Sequence, residues 1–299
     1  AGIIIPVAGF LSDRYGRKVV IIPSLILYGL GGIIAAIASV LIGQLAFPGI
    51  LAGRILQGMG AAGTAPIAMA LCGDLFKGKE RSRSLGAIES SNGLGKVVSP
   101  ILGAAIGLIA WYAAFIFFPL IVIPIIIGVW QLVKEPKANR AQQKVADYLK
   151  SFARVFKEKK SMLLSSYLAG AIALMVLFGI LFYLSEFLEQ QYGLDGVQKG
   201  LVLAIPVLFM SATSFSTGFI IKKKTTLMRM LVVVGLGIMT ASLIFLPLAT
   251  GTILYFMAIS IVGIGTGLVL PCLNTLITSA ASIKERGLIT SLYGSVRFF

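Results

Sequence analysis

The sequence predicts an all-α, polytopic membrane protein, and three observations carry the prediction. Hydrophobic residues make up 58% of the 299-residue chain and charged residues only 12%, too few charges to cover a soluble domain. The apolar residues fall into continuous, glycine-rich runs of about 20 residues, the length of a helix that crosses a bilayer. They do not alternate with polar residues as the strands of a membrane barrel do. Finally, 23 of the 26 Lys and Arg side chains lie in every second connection between the runs. Short basic connections stay on the inner side of a membrane, so the net charge of +15 is explained by topology, and a nucleic-acid partner is not required.

Taken in order, residues 1–9 end one apolar run, and the turn Gly9-Phe10-Leu11-Ser12-Asp13-Arg14-Tyr15-Gly16-Arg17-Lys18 follows. Helices are then expected at 19–40, 48–73, 85–109 and 113–133. Trp111, Tyr112 and Trp130 fall near run ends, where an aromatic belt sits at the membrane interface. The stretch 134–160 is the longest polar connection. Val145, Leu149, Phe152 and Phe156 recur there at helical spacing among Lys144, Lys150, Arg154 and Lys157. It reads as a basic amphipathic helix on the inner leaflet or as a flexible linker. Further spans are expected at 161–185, 197–221, 227–248 and 253–277, and another begins at 288. The chain has no initiator Met and no signal peptide, and it starts and stops inside apolar runs. A fragment of a longer protein is the expectation.

The two halves repeat. Gly58-Met59-Gly60, Pro66 and Glu80-Arg81 match Gly263-Ile264-Gly265, Pro271 and Glu285-Arg286 at one offset of 205 residues. Gly9 matches Gly218 at an offset of 209, ahead of Lys222-Lys223-Lys224, although the second copy of the charged turn lacks the Asp and Arg. Parallel repeats of this kind hold a substrate near the bilayer midplane between the halves. The expected division is an N-terminal helix bundle at 1–133, a cytoplasmic basic linker at 134–160 and a C-terminal helix bundle at 161–299.

Little conventional chemistry is visible. Histidine is absent, and Cys72 and Cys272 sit in apolar runs as small core residues. No metal cluster, nucleophile pair or nucleotide loop appears, so neither an enzyme nor a cofactor is expected. A proton carrier would have to be a carboxylate. Glu89 is the carboxylate placed clearly within a span, and a carboxyl buried there can trade a proton. Pairing with Arg81 or Arg83 near the inner interface is its alternative role. Lys96 lies two turns further along and shares its face. It is a candidate for attracting an anionic substrate group or for holding Glu89 ionised. Arg54 lies inside the preceding span, where a charge is costly and needs an interior partner, unless it snorkels outward.

The charged turn meets every fixed position of the pattern G-x-L-x-D-R-x-G-R-K and so resembles the signature loop between the second and third helices of the major facilitator superfamily. Arg54 lies in Gly53-Arg54-Ile55-Leu56-Gln57-Gly58, similar to that superfamily's R-x-x-Q-G motif, whose arginine is linked to proton transfer in antiporters. Gly95, Pro100 and Gly103 match an antiporter-type helix pattern in which Ser91, Ser99 and Ala104 stand for glycines. Small residues there permit close helix packing, and the proline bends the helix.

The resemblance implies two pseudo-symmetric six-helix bundles, incomplete at both ends, in the cell membrane with basic loops cytoplasmic. It implies an inner gate of Gly9, Asp13, Arg14, Gly16, Arg17, Lys18 and Asp74. Asp13 would face the start of the eleventh helix near Gly287 to Thr290, and Arg17 would pair with Asp74. The function implied is proton-coupled antiport, a drug-efflux type exporting small amphipathic molecules, driven by the proton gradient with no cofactor. A dedicated metabolite or siderophore exporter, or a proton symporter for sugars or organic acids, is the alternative. A non-transporting receptor or scaffold is a different class, and it would need none of Arg54, Glu89 and Lys96. The expected partners are a small-molecule substrate and the lipid bilayer, with the protein monomeric.

Overall fold

A computed structural model describes residues 2–40, 46–135, 150, 153–154, 156–194, 196–221, 224–248, 251–280 and 286–297, apart from the side chains at 100, 104 and 252. Residues 136–149 and 151–152, most of the expected amphipathic linker helix, lie outside this description, as do Lys222, Lys223 and Glu285. The helices are α1 (Ile5–Tyr15), α2 (Arg17–Val40), α3 (Ala46–Ala62), α4 (Ala65–Leu75), α5 (Gly78–Gly107), α6 (Ala113–Leu132), α7 (Lys160–Tyr192), α8 (Gly196–Ile220), α9 (Thr225–Phe245), α10 (Thr252–Ala280) and α11 (Arg286–Val296). Among the described residues there is no strand.

Among the described residues, seven stretches are long and apolar enough to cross a membrane: Arg17–Val40, Ala46–Leu75, Ala113–Leu132, Lys160–Tyr192, Gly196–Ile220, Thr225–Leu248 and Ile253–Ala280. Helix α5 has the length, with 30 residues or about 45 Å. Its first turns carry Lys79, Glu80, Arg81 and Arg83, and Glu89 and Lys96 follow. These charges hold its mean hydropathy below that of the others.

Two expected boundaries move. The run 48–73 is broken into α3 and α4 at Gly63-Thr64, where the Gly63 N–H donates to Gly60 O and the Thr64 N–H to Ala61 O, a tight three-residue turn. The repeat-related stretch runs unbroken through α10. It carries Leu268 and Val269 at the positions equivalent to Gly63 and Thr64. The expected helix 161–185 extends to Tyr192, adding a polar last stretch that stops at Gly193, whose φ of +61° ends the helix.

The residues group into two compact units, each interleaved along the chain. One contains Ala1–Leu75, Ala105–Lys160 and Ala280–Phe299; the other contains Phe76–Ala104 and Ser161–Ser279. In the first, α2 and α3 meet at backbone distance. A Cβ built on Gly53 falls 2.7 Å from Ala35 N, and one built on Gly31 falls 2.6 Å from both Gln57 N and Gly53 O. Small residues of this kind let membrane helices gain dispersion energy where lipid offers no hydrophobic drive.

The same register is used once in each unit. In the first, a Cβ on Gly9 of α1 would collide with Ser291 of α11. In the second, a Cβ on Gly218 of α8 would lie 2.9 Å from the Cα of Gly86 on α5. Gly9 and Gly218 are the pair matched at offset 209, and Gly86 and Ser291 are matched at offset 205. The sequence repeat is therefore also a repeat of helix contacts.

At the α1–α2 junction Gly16 adopts φ 121° and ψ 153°, a region essentially confined to glycine. Gly16→Ala is expected to lower stability by about 1–3 kcal/mol. Thermal melting of the purified protein in detergent would read this, and an unchanged melting temperature would show that the turn relaxes freely.

Candidate functional site

The charged turn is built from two helix ends facing a third. Asp13, in the last turn of α1, accepts hydrogen bonds from the backbone N–H groups of Gly287 (2.7 Å) and Leu288 (2.8 Å) at the start of α11. A helix N-terminus leaves such donors unsatisfied and carries a partial positive charge, so a carboxylate suits it. The Arg17 Nη1–H donates to Asp13 Oδ1 and to Ser12 Oγ, and its Nε–H donates to Asp74 Oδ2 at 2.9 Å. Arg286 donates to the other oxygen of Asp74. Two carboxylates and two guanidinium groups thus form a neutral chain, Asp13–Arg17–Asp74–Arg286, with every side chain less than 8% exposed. The planar fork of Arg17 reaches two carboxylates at once, which a lysine ammonium cannot reproduce with the same geometry.

Three neighbours fix the chain's surroundings. Glu135 accepts from the backbone N–H groups of Arg17 (2.7 Å) and Lys18 (3.2 Å) and so caps α2. The Lys18 ammonium donates to the carbonyls of Trp130 and Val133 at the end of α6. Gly287 leaves no room for a side chain, since a Cβ there would lie 2.6 Å from Ser12 Oγ. Of the remaining gate candidates, Arg14 is exposed and lies 5.5 Å from the ring of Tyr15. Gly9 and Gly16 set the approach and the turn already described. Sequence reasoning placed Asp13 opposite Gly287 and Arg17 beside Asp74. It missed Arg286, read only as a loop cation, together with Ser12 and Glu135.

The intramembrane candidates belong to different units, Arg54 to the first and Glu89 and Lys96 to the second. Arg54 on α3 is exposed; it donates to Gln57 Oε1 at 2.9 Å, with its guanidinium 5.5 Å from the ring of Phe115. Lys96 is half-buried, with its ammonium 4.9 Å from the ring of Phe178 on α7. Glu89 is 1% exposed, and its Oε1 accepts a 2.7 Å hydrogen bond from Asn274 Nδ2 on α10. Arg81 donates to Phe76 O and Ser279 Oγ, and Arg83 lies over Phe219. Ser82, Ser211, Ser214, Thr217, Thr275 and Thr278 are also buried in this unit. Thr217, Thr275 and Thr278 return their hydroxyl protons to carbonyls of their own helices. Asn274 is a functional candidate the sequence did not reveal, because a lone amide in an apolar run looks like any tolerated polar residue.

Gly95 and Gly103 do not serve the close packing expected of them, since a Cβ at either meets nothing within 4 Å. The close face of α5 is instead Gly86 and Gly93, seven residues apart and facing α8, where a Cβ on Gly93 would collide with Ser211. Pro100 is placed in α5 by its backbone only. Among the described residues no group of three or more His, Cys, Asp or Glu side chains could hold a metal ion.

Long apolar helices packed through glycine, with ionised side chains buried in a neutral cluster, define a polytopic α-helical membrane protein. The chain belongs to the Major Facilitator Superfamily, whose family model matches residues 1–299, and it is a membrane transporter, not an enzyme. It is 43% identical over 298 residues to the Bacillibactin exporter of Bacillus subtilis (strain 168), covering 99% of this chain and 74% of that protein. It is 23% identical to the Multidrug transporter protein MdtP of the same organism, covering 99% of this chain and 63% of the relative. The solved human organic anion transporter MFSD10 (TETRAN) shares the fold, with a TM-score of 0.84 at 19% identity over 99% of this chain and 71% of that one.

Proposed function

We propose that this protein exports a secreted metabolite of the siderophore class by proton-coupled antiport. The observation that carries the reading is the 43% identity to the Bacillibactin exporter over nearly the whole chain. The multidrug relative matches at 23%, so the dedicated exporter is favoured over drug efflux, the first expectation from sequence. Arg54 and Lys96 each place a cation beside an aromatic ring, a combination suited to a substrate carrying anionic and planar groups. The protein sits in the cell membrane with its basic loops cytoplasmic, works as a monomer and uses the proton gradient without a cofactor.

Alternating access rocks bundle 1–133 against bundle 161–299, joined by the linker 134–160. Helix α11 packs within the unit that holds α1 to α4, and α5 packs within the unit that holds α7 to α10. These two helices are the ones whose contacts the rocking must exchange. The Asp13–Arg17–Asp74–Arg286 chain is then the inner gate. Opening it trades buried charge-assisted hydrogen bonds for water, a cost of a few kcal/mol that substrate or proton binding can offset by preferring one state.

The test is transport into everted membrane vesicles. Bacillibactin is expected to accumulate when an inward-acid pH gradient is imposed, and ethidium is not. Glu89→Gln is expected to reduce gradient-driven accumulation to the level of empty vesicles while leaving bacillibactin counterflow measurable. Accumulation of ethidium without bacillibactin would restore the drug-efflux reading. Full gradient-driven transport by Glu89→Gln would remove Glu89 from the coupling.

A further inference from the structure

We infer that the second unit binds an anionic phospholipid against α5 and α8, with the headgroup phosphate at Arg83 and Lys224 and an acyl chain along an exposed stripe of α8. Arg83 is exposed, and its guanidinium lies 4.8 Å from the ring of Phe219. It makes no hydrogen bond or ion pair with any of the described residues. A guanidinium carries five N–H donors in a fork that fits two oxygens of a phosphate, and the ring contact gives those donors no oxygen. The contact does fix where the fork stands. Arg83 is on α5 and Phe219 on α8, and the two helices already meet at Gly86 and Gly218. The site is partly built before a ligand arrives, which lowers the cost of ordering a long side chain.

The stripe continues from the ring. Phe219, Phe215, Ala212 and Leu208 recur at helical spacing on one face of α8, and all four are exposed. The rings of Phe215 and Phe219 meet with centroids 4.9 Å apart. From Phe219 to Leu208 the helix rises about 16 Å, one leaflet's share of a hydrocarbon core about 30 Å thick. A lipid with its phosphate at Arg83 therefore finds apolar contact along its chain. The charges select an anionic headgroup. Lys224 is exposed and stands at the head of α9, just beyond the end of α8. The first turns of α5 and α9 add Lys79, Arg81 and Arg229 against one carboxylate, Glu80. The repeat shows which carboxylates this end has lost. Asp74 accepts from Arg286 in the first unit, whereas at the matched positions of the second Ser279 accepts from Arg81. The sequence also has Lys222 where the first copy has Asp13. A phospholipid phosphate returns negative charge to a basic end that lies at the membrane surface.

The inference does not depend on the substrate or on proton coupling. The test is thermal melting of the whole protein in detergent, titrated with dioleoyl phosphatidylglycerol, with dioleoyl phosphatidylcholine and with inorganic phosphate. Phosphatidylglycerol is expected to raise the melting temperature, because a ligand of the folded form alone stabilises it. Phosphatidylcholine and inorganic phosphate are expected to leave it in place. Arg83→Gln and Lys224→Gln are each expected to raise the lipid concentration at half-effect about fivefold. Lys134→Gln, which removes an exposed cation of the first unit, is expected to leave it unchanged. Should Arg83→Gln melt too low to titrate, Arg83→Lys, which keeps the charge and loses the fork, is expected to weaken binding by less. An equal shift with phosphatidylcholine would reduce the stripe to an apolar surface with no headgroup choice and overturn the inference. A shift with inorganic phosphate alone would mean an anion site that needs no lipid, and equal weakening by Arg83→Gln and Lys134→Gln would mean diffuse attraction. Either result overturns it, as does unweakened binding in the Arg83 variants.

Discussion

Asp74→Asn is expected to destabilise the protein by about 3–5 kcal/mol, the usual cost of removing one partner from a buried ion pair. Asp74 is the shared acceptor of Arg17 and Arg286, and both guanidinium groups are less than 8% exposed. The variant leaves a net charge of +1 in a cluster that water scarcely reaches, and an amide can offer only one oxygen where two were used. A melting curve in detergent reads the loss. Asp74→Asn combined with Arg286→Met removes the surplus charge and is expected to recover part of it. That coupling is what marks an interaction and not two independent defects. A wild-type melting curve for Asp74→Asn alone would mean that the cluster is solvated and contributes nothing to a closed gate. If the gate reading holds, the variant is also expected to raise labelling of a cysteine placed at Ser12 by a thiol reagent added from the cytoplasmic side.

What the sequence made legible follows from which forces have a period or a sign. Hydropathy places the spans to within a few residues because crossing a bilayer needs a set length of apolar chain. It set the start of α5 at 85, where the helix begins at Gly78, because the first turns carry charged residues. The contacts Asp13 to Gly287 and Arg17 to Asp74 were available because the charged turn resembles a family motif; local spacing alone gave neither. Arg286 was hidden among the basic residues that topology already explained, and Glu135 sits at the edge of a linker that reads as polar throughout.

The break at Gly63-Thr64 had a signal, because the repeat places Leu268 and Val269 at the equivalent positions, but Pro66 matching Pro271 suggested two like helices. Asn274 had none. Its side chain donates to Glu89, 185 residues away, and no pattern within a single apolar helix points to a partner on another.

The faces of α5 show the same limit most sharply. They also give the second large effect. Small residues at Gly95, Pro100 and Gly103 match the antiporter pattern, yet the buried face of α5 runs through Ser82, Leu85, Gly86, Glu89, Gly93 and Val97, so the pattern cannot say which small residues meet a neighbour. Gly86→Ala places a methyl 2.7 Å from Gly218 Cα and 3.0 Å from Ser214 O. These are backbone atoms with no rotamer to change, so α5 and α8 must separate. Overpacking of this kind costs about 1–3 kcal/mol and sometimes more.

Gly95→Ala makes the same chemical change in the same helix where a Cβ meets nothing within 4 Å. There the better helix propensity of alanine is expected to leave stability equal or raise it by up to about 1 kcal/mol. Parallel melting of the two variants separates packing from propensity. Equal losses would mean that α5 is held on both faces, and equal gains that Gly86 does not touch α8. Because Gly86 is the repeat equivalent of Ser291 and Gly218 of Gly9, Gly9→Ala is expected to resemble Gly86→Ala, the first loosening α1 from α11 as the second loosens α5 from α8.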